Sequence, residues 1–231
     1  MALSGCASGT DAIYRTIQTA IGRDKGADGA RLNPNFRYLR VTIEGRVALL
    51  ALGNIDSHPQ GAIEVWYSAE REVLRFQNGR LVGAAGLTTE WRNVMLPELP
   101  AWTSLARAGA PLRWVRTRDV MPGYRYGLRD ALVLSVTRQP VKSALQGLDP
   151  QRLTWFEERF VSEADGKTVL PPARYAVQMK PHHPAPPGGA PLLGEEGKTP
   201  REEDGMGIVV YGEQCLAPQT CFTWQRWPAG S

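Results

Sequence analysis

No apolar run in the 231-residue chain approaches the roughly 18 residues that a membrane-spanning helix requires. Cysteine and histidine are scarce, three of each, and no C-x-x-C pair occurs, so a zinc site has no support. There is no G-x-S-x-G elbow, no H-E-x-x-H and no G-x-x-x-x-G-K-[ST] loop, and hence no assembled catalytic set and no cofactor site to name. The net charge of +4 gives a mild bias toward anionic partners. Without a dense Lys/Arg stripe or a recognition motif, it does not argue for nucleic acid. Long helical patterns are few, whereas 24 Gly and 18 Pro point to β structure with many turns.

The stretch that organises the chain is Ile63 to Leu87. Ile63–Tyr67 is β-branched and aromatic, and in Val73–Gln77 Leu74 and Phe76 share one face. Asn78-Gly79 supplies the two positive-φ residues of a type I′ turn, and Arg80–Gly83 returns. A second tryptophan-led segment, Leu153 to Leu170, enters an Asp165-Gly166 turn with the same layout. The two segments read either as a weak internal repeat or as unrelated hairpins of one β protein.

Further strands are expected over Phe36–Ile43, Val47–Leu52, Pro111–Arg118, Ala131–Thr137 and Gly207–Tyr211, about ten in all. Trp91, Val94, Met95, Leu99 and Trp102 are spaced helically but interrupted by Pro97 and Pro100, which predicts a short helix or two turns capping the sheet. Ile13, Ile17 and Ile21 predict a short amphipathic helix near the start. The predicted class is mainly β: an antiparallel meander curled into a barrel or half-barrel with two short helices. The segments are 1–30 (start, helix and linker), 31–179 (β domain), 180–206 (Pro-rich and flexible) and 207–231 (a C-terminal strand pair). His58 reads as a surface loop residue, and the adjacent His182 and His183 lack ligand partners at metal spacing.

Leu3-Ser4-Gly5-Cys6 is similar to the lipobox of bacterial lipoproteins, which makes Cys6 the expected lipid attachment site. A basic n-region and an apolar h-region do not precede it, so an export segment is expected upstream of Met1. Ala7 rather than Asp after the cysteine suggests the outer membrane, by analogy with enterobacterial sorting. Cys215 and Cys221 flank a short loop, and the arithmetic closes with one cysteine for lipid and two for a disulfide.

Together, the lipobox-like start, the Asn33 to Val41 strand, the Ile63–Leu87 hairpins and the Leu153–Val169 hairpin resemble the YjbF/GfcB-type lipoproteins associated with group 4 capsule and exopolysaccharide operons. The resemblance covers Pro34 to Val177. It implies an all-β body tethered to the periplasmic face of the outer membrane, a non-catalytic accessory of polysaccharide production or export. The expected partners are the polysaccharide, the export proteins, or both. A periplasmic enzyme acting on the polymer and an adaptor of an envelope complex are the alternatives. No catalytic residues are established for the family, and none carry over. The carboxylate pairs Glu70/Glu72 and Glu157/Glu158 read as solvated rather than as a glycosidase couple. Arg113, Trp114, Arg116 and Arg118 mix guanidinium groups with an aromatic and are candidates for binding an acidic glycan. The competing reading makes Trp66, Trp114 and Trp155 core residues and the arginines a solvated outer face.

Overall fold

The structure, a computed structural model, describes residues 29–163, 170–179 and 207–229. Cys6, the predicted N-terminal helix, Asp165-Gly166, His182 and His183 lie outside them. Twelve antiparallel strands close into a barrel: β1 (Tyr38–Ile43), β2 (Arg46–Asp56), β3 (Ile63–Ser68), β4 (Val73–Gln77), β5 (Arg80–Ala85), β6 (Glu90–Met95), β7 (Leu112–Met121), β8 (Arg125–Thr137), β9 (Thr154–Glu163), β10 (Ala173–Gln178), β11 (Ile208–Ala217) and β12 (Thr220–Trp227). Each strand pairs with its sequence neighbours, and β1 pairs with β12, so no edge is left to recruit another chain. The meander is thus the expected one. Two more strands are present than the sequence predicts, and the closing pair comes from the 207–231 segment.

One of the extra strands is β6. The helical spacing of Trp91 and Val94 misleads because Asn93 sits at φ +47 in an irregularity of the β6–β7 register. That extra residue lets Trp91 and Val94 both pack toward the interior, as a bulge does. The helix α1 (Trp102–Ala108) begins after Pro100 and stops at Gly109 in the left-handed region. Trp102 anchors it, donating from Nε1 to the Asn78 carbonyl at 2.9 Å and packing on Phe156 and Tyr175.

Asn78 and Gly79 have φ +50 and +78, as the type I′ turn requires. A Cβ on Gly79 would meet Val209 at 2.3 Å, so the turn needs glycine twice over. Gly212 is fixed by contact alone: the Trp224 indole fills the place of its Cβ.

Because consecutive strands alternate in direction, their connections alternate between the two ends of the barrel. Turns 44–45, 69–72, 86–89, 122–124 and 218–219 share one end. The longer connections 96–111 and 138–153 share the other, where residues 29–37 also enter. Trp66, Leu74, Phe76, Phe156 and Trp224 fill the interior. Two smaller clusters lie outside the barrel wall under covering segments: Tyr38 and Ala51 with Leu32 and Phe36, and Trp155, Ala176 and Tyr211 with Leu145 and Leu153. Trp66 and Trp155 are therefore both buried, but on opposite faces of the wall, so the two tryptophan-led segments do not place their tryptophans alike.

Candidate functional site

Trp114, Arg116 and Arg118 share a face, and that face is the inside of the barrel, with relative exposures of 7%, 5% and 4%. Two buried arginines need acceptors, and β8 and β9 supply them. Asp130, opposite Arg116 in register, accepts from Arg116 Nε at 2.9 Å and from Arg118 Nε and a terminal nitrogen at 2.6 and 3.1 Å. The Trp91 ring floors both guanidinium groups, with centroids 4.5 and 4.6 Å away. Trp91 is itself tied across the barrel, donating from Nε1 to the Leu216 carbonyl. Burial weakens the hold of Arg118 on its proton, and the Asp130 bonds oppose that shift.

Deeper in the barrel the balance changes. Glu158 on β9 is 2% exposed and lies 3.8 Å from Arg116, and its Oε2 has no hydrogen-bond partner. Burial raises its pKa, against the opposing pull of Arg116 and Arg80. Arg80 opens β5 and stacks on the Trp102 ring at 3.9 Å, while its Nε and one terminal nitrogen find no acceptor. Burial, followed by the Glu158 charge, pushes the Tyr175 hydroxyl pKa up. Toward the long-connection end, Arg226 holds both oxygens of Glu64 at 3.1 and 3.0 Å.

The predicted glycan-binding set is therefore divided. Arg113 faces outward and is exposed, whereas Trp114, Arg116 and Arg118 are enclosed, the two arginines bonded to Asp130. The arginines are not one solvated face either. The reading of Glu157 and Glu158 as solvated is corrected, since both are buried. As neighbours on one strand they point to opposite sides of the wall and cannot flank one glycosidic bond. Glu157 is bonded to Arg159 and Arg174 on the outside.

Sequence reasoning missed Asp130, Arg80 and Tyr175. Asp130 was legible in principle: it shares the parity of Leu132 and Leu134, so an acid stands on an apolar face. Cys215 and Cys221 oppose each other across β11 and β12 and are joined, sulfur to sulfur, at 2.02 Å. Exposed His58 places Nδ1 2.9 Å from Gln77 Nε2. Among the described residues, no cluster of His, Cys, Asp or Glu could hold a metal ion.

The site thus sits in a closed antiparallel barrel whose interior holds Arg116 and Arg118 bonded to Asp130 over the Trp91 ring. The model of the group 4 capsule polysaccharide lipoprotein family (gfcB, YjbF) matches residues 34–164, and the chain belongs to this family. No curated protein matches the sequence. Among solved structures, the hypothetical lipoprotein YmcC of Escherichia coli K12 is similar in fold, with a TM-score of 0.63 at 12% identity, over 96% of this chain and 97% of that one.

Proposed function

We propose that the protein is a non-catalytic accessory of exopolysaccharide or capsule production or export, held by lipid on Cys6 at the periplasmic face of the outer membrane. The observation that carries this reading is the family match over residues 34–164. The site supports its non-catalytic half. Asp130 is committed to two guanidinium groups, Glu157 to Arg159 and Arg174, and Glu158 is sealed inside the wall where a polymer does not reach. A multiply acylated cysteine buries enough methylene groups, at about 0.8 kcal/mol each, to hold a barrel at a bilayer without a spanning helix.

Deleting the gene is expected to reduce surface polysaccharide, and restoring the wild type to recover it. Cys6→Ser in the full-length precursor is expected to abolish lipid labelling while leaving the barrel folded. Unchanged polysaccharide in the deletion strain overturns the role. Cleavage or modification of the isolated polymer by the purified protein transfers the reading to a periplasmic enzyme.

A further inference from the structure

The β7–β8 ribbon carries five arginines, and the structure separates them by environment. Arg116 and Arg118 are enclosed and paired, whereas the side chains of Arg113, Arg125 and Arg129 are exposed and make no hydrogen bond or ion pair with the described residues. In register, Arg113 faces Val133, Arg129 faces Thr117 and Arg125 faces Val120. Arg113 and Arg129 share the outer parity, about 13 Å apart along the ribbon at roughly 3.3 Å per residue, whereas Arg125, opposite the interior Val120, stands exposed at the rim of the barrel mouth beside the tip. Two acids near the tip are already engaged. Asp119 accepts from the Gly127 amide and Asn93, and Glu90 accepts from the Gly86 amide and Arg92.

The tip adds two tyrosines, Tyr124 at 73% and Tyr126 at 63% exposure, the most exposed aromatic side chains described. Tyr124 has φ +51, in the left-handed region that Gly or Asn adopts more readily than a bulky side chain. Its ring stands in water, outside the core clusters.

From this juxtaposition we infer that the outer face and tip of the β7–β8 hairpin form a docking surface for an acidic polysaccharide. Tyr124 and Tyr126 offer flat faces to sugar rings, and Arg125, Arg129 and Arg113 offer forks to successive carboxylates. The inference rests on the accessory function proposed above and gives it a ligand class and an address. An extended stripe suits a chain better than a single sugar. The tip also lies at the barrel end opposite the one where residues 29–37 enter.

The test uses surface polysaccharide purified from the producing cells, the same polymer after carboxyl reduction, and phosphatidylglycerol vesicles. These are titrated with wild type and with two variants, Tyr124→Ala/Tyr126→Ala and Arg113→Gln/Arg125→Gln/Arg129→Gln. All changed side chains are exposed, so urea midpoints should match the wild type. Binding of wild type to the native polymer is expected to weaken at least tenfold in each variant, to fall with added salt, and to be lost on the carboxyl-reduced polymer. Failure of the wild type to bind the native polymer, undiminished binding by both variants, or variant-sensitive binding to the vesicles alone overturns the inference. In cells, normal polysaccharide with both variants but not in the deletion strain sinks this surface and leaves the accessory role standing. Normal polysaccharide in the deletion strain sinks the role itself.

Discussion

Arg118 and Arg80 are both buried inside one barrel, and each lies against a tryptophan ring, yet their surroundings differ. Arg118 gives two hydrogen bonds to Asp130, which also holds Arg116, so the triad forms a closed unit on Trp91. Arg80 has its plane covered by Trp102 but keeps two nitrogens without an acceptor, and its nearest counter-charge, Glu158, keeps one oxygen unbonded. Burial lowers the pKa of both arginines, but only Arg118 has direct bonds opposing the shift. The first corner is a specified network in which removing one member strands the others. The second is a pair of charges enclosed by packing, where neutral replacements of similar shape lose little.

The largest effect is expected from breaking the closed corner. Asp130→Ala leaves two guanidinium groups buried without their acceptor, a loss of about 3–5 kcal/mol that urea denaturation should report. A loss below about 1 kcal/mol would mean that Arg116 and Arg118 reach other acceptors, and the contrast between the corners would collapse. The cross-link between β11 and β12 gives an intermediate mark on the same scale. Replacing Cys215 and Cys221 together by Ser should cost about 2 kcal/mol, from the short loop that they close. That loss should loosen the hairpin without opening the interior.

The open corner should respond least. Arg80→Met with Glu158→Gln removes both charges together while keeping volume under Trp102, and stability should stay within about 1 kcal/mol of the wild type. A loss as large as that of Asp130→Ala would show that the unbonded nitrogens of Arg80 are held by ordered water, making both corners networks of one kind.

The two corners were not equally legible in the sequence. The β3–β5 hairpins were plain, because Asn78-Gly79 has one low-energy use between alternating apolar runs. The parity of β7 was also readable, with Trp114, Arg116 and Arg118 on one face. The side on which that face lay was not. Arginine normally turns outward, and only acceptors contributed by other strands reverse the preference. Asp130 is one such acceptor, but it stands one residue before the apolar run that marked β8, so it was left out of the strand. Arg80 looked like an ordinary residue after a turn. Its burial depends on α1 folding back over the hairpin, a contact that no local pattern encodes. Bulges blurred the rest, since Asn93 shifts the parity of β6 and turns a strand into an apparent helix.

The subtlest expected effect is in pH dependence. Burial first, then the neighbouring Asp130 charge, raises the pKa of Glu158 above its ordinary 4.5, while Arg116 and Arg80 pull it down without cancelling the shift. The native state thus binds this proton more tightly than the unfolded chain does. The Glu158 contribution to stability is full below about pH 4.5 and declines as pH rises through the elevated native value. Glu158→Gln removes that slope. Glu72, Glu90 and Asp119 are unchanged in the variant, so their own shifts cancel when the two proteins are compared at each pH. The wild type should gain stability relative to Glu158→Gln as pH falls from neutral toward 4.5, with the two curves running parallel below it. A difference that does not change with pH would mean that Glu158 binds its proton no more tightly in the folded barrel than in the unfolded chain. Its unbonded oxygen would then have a partner, and the second corner would be closed like the first.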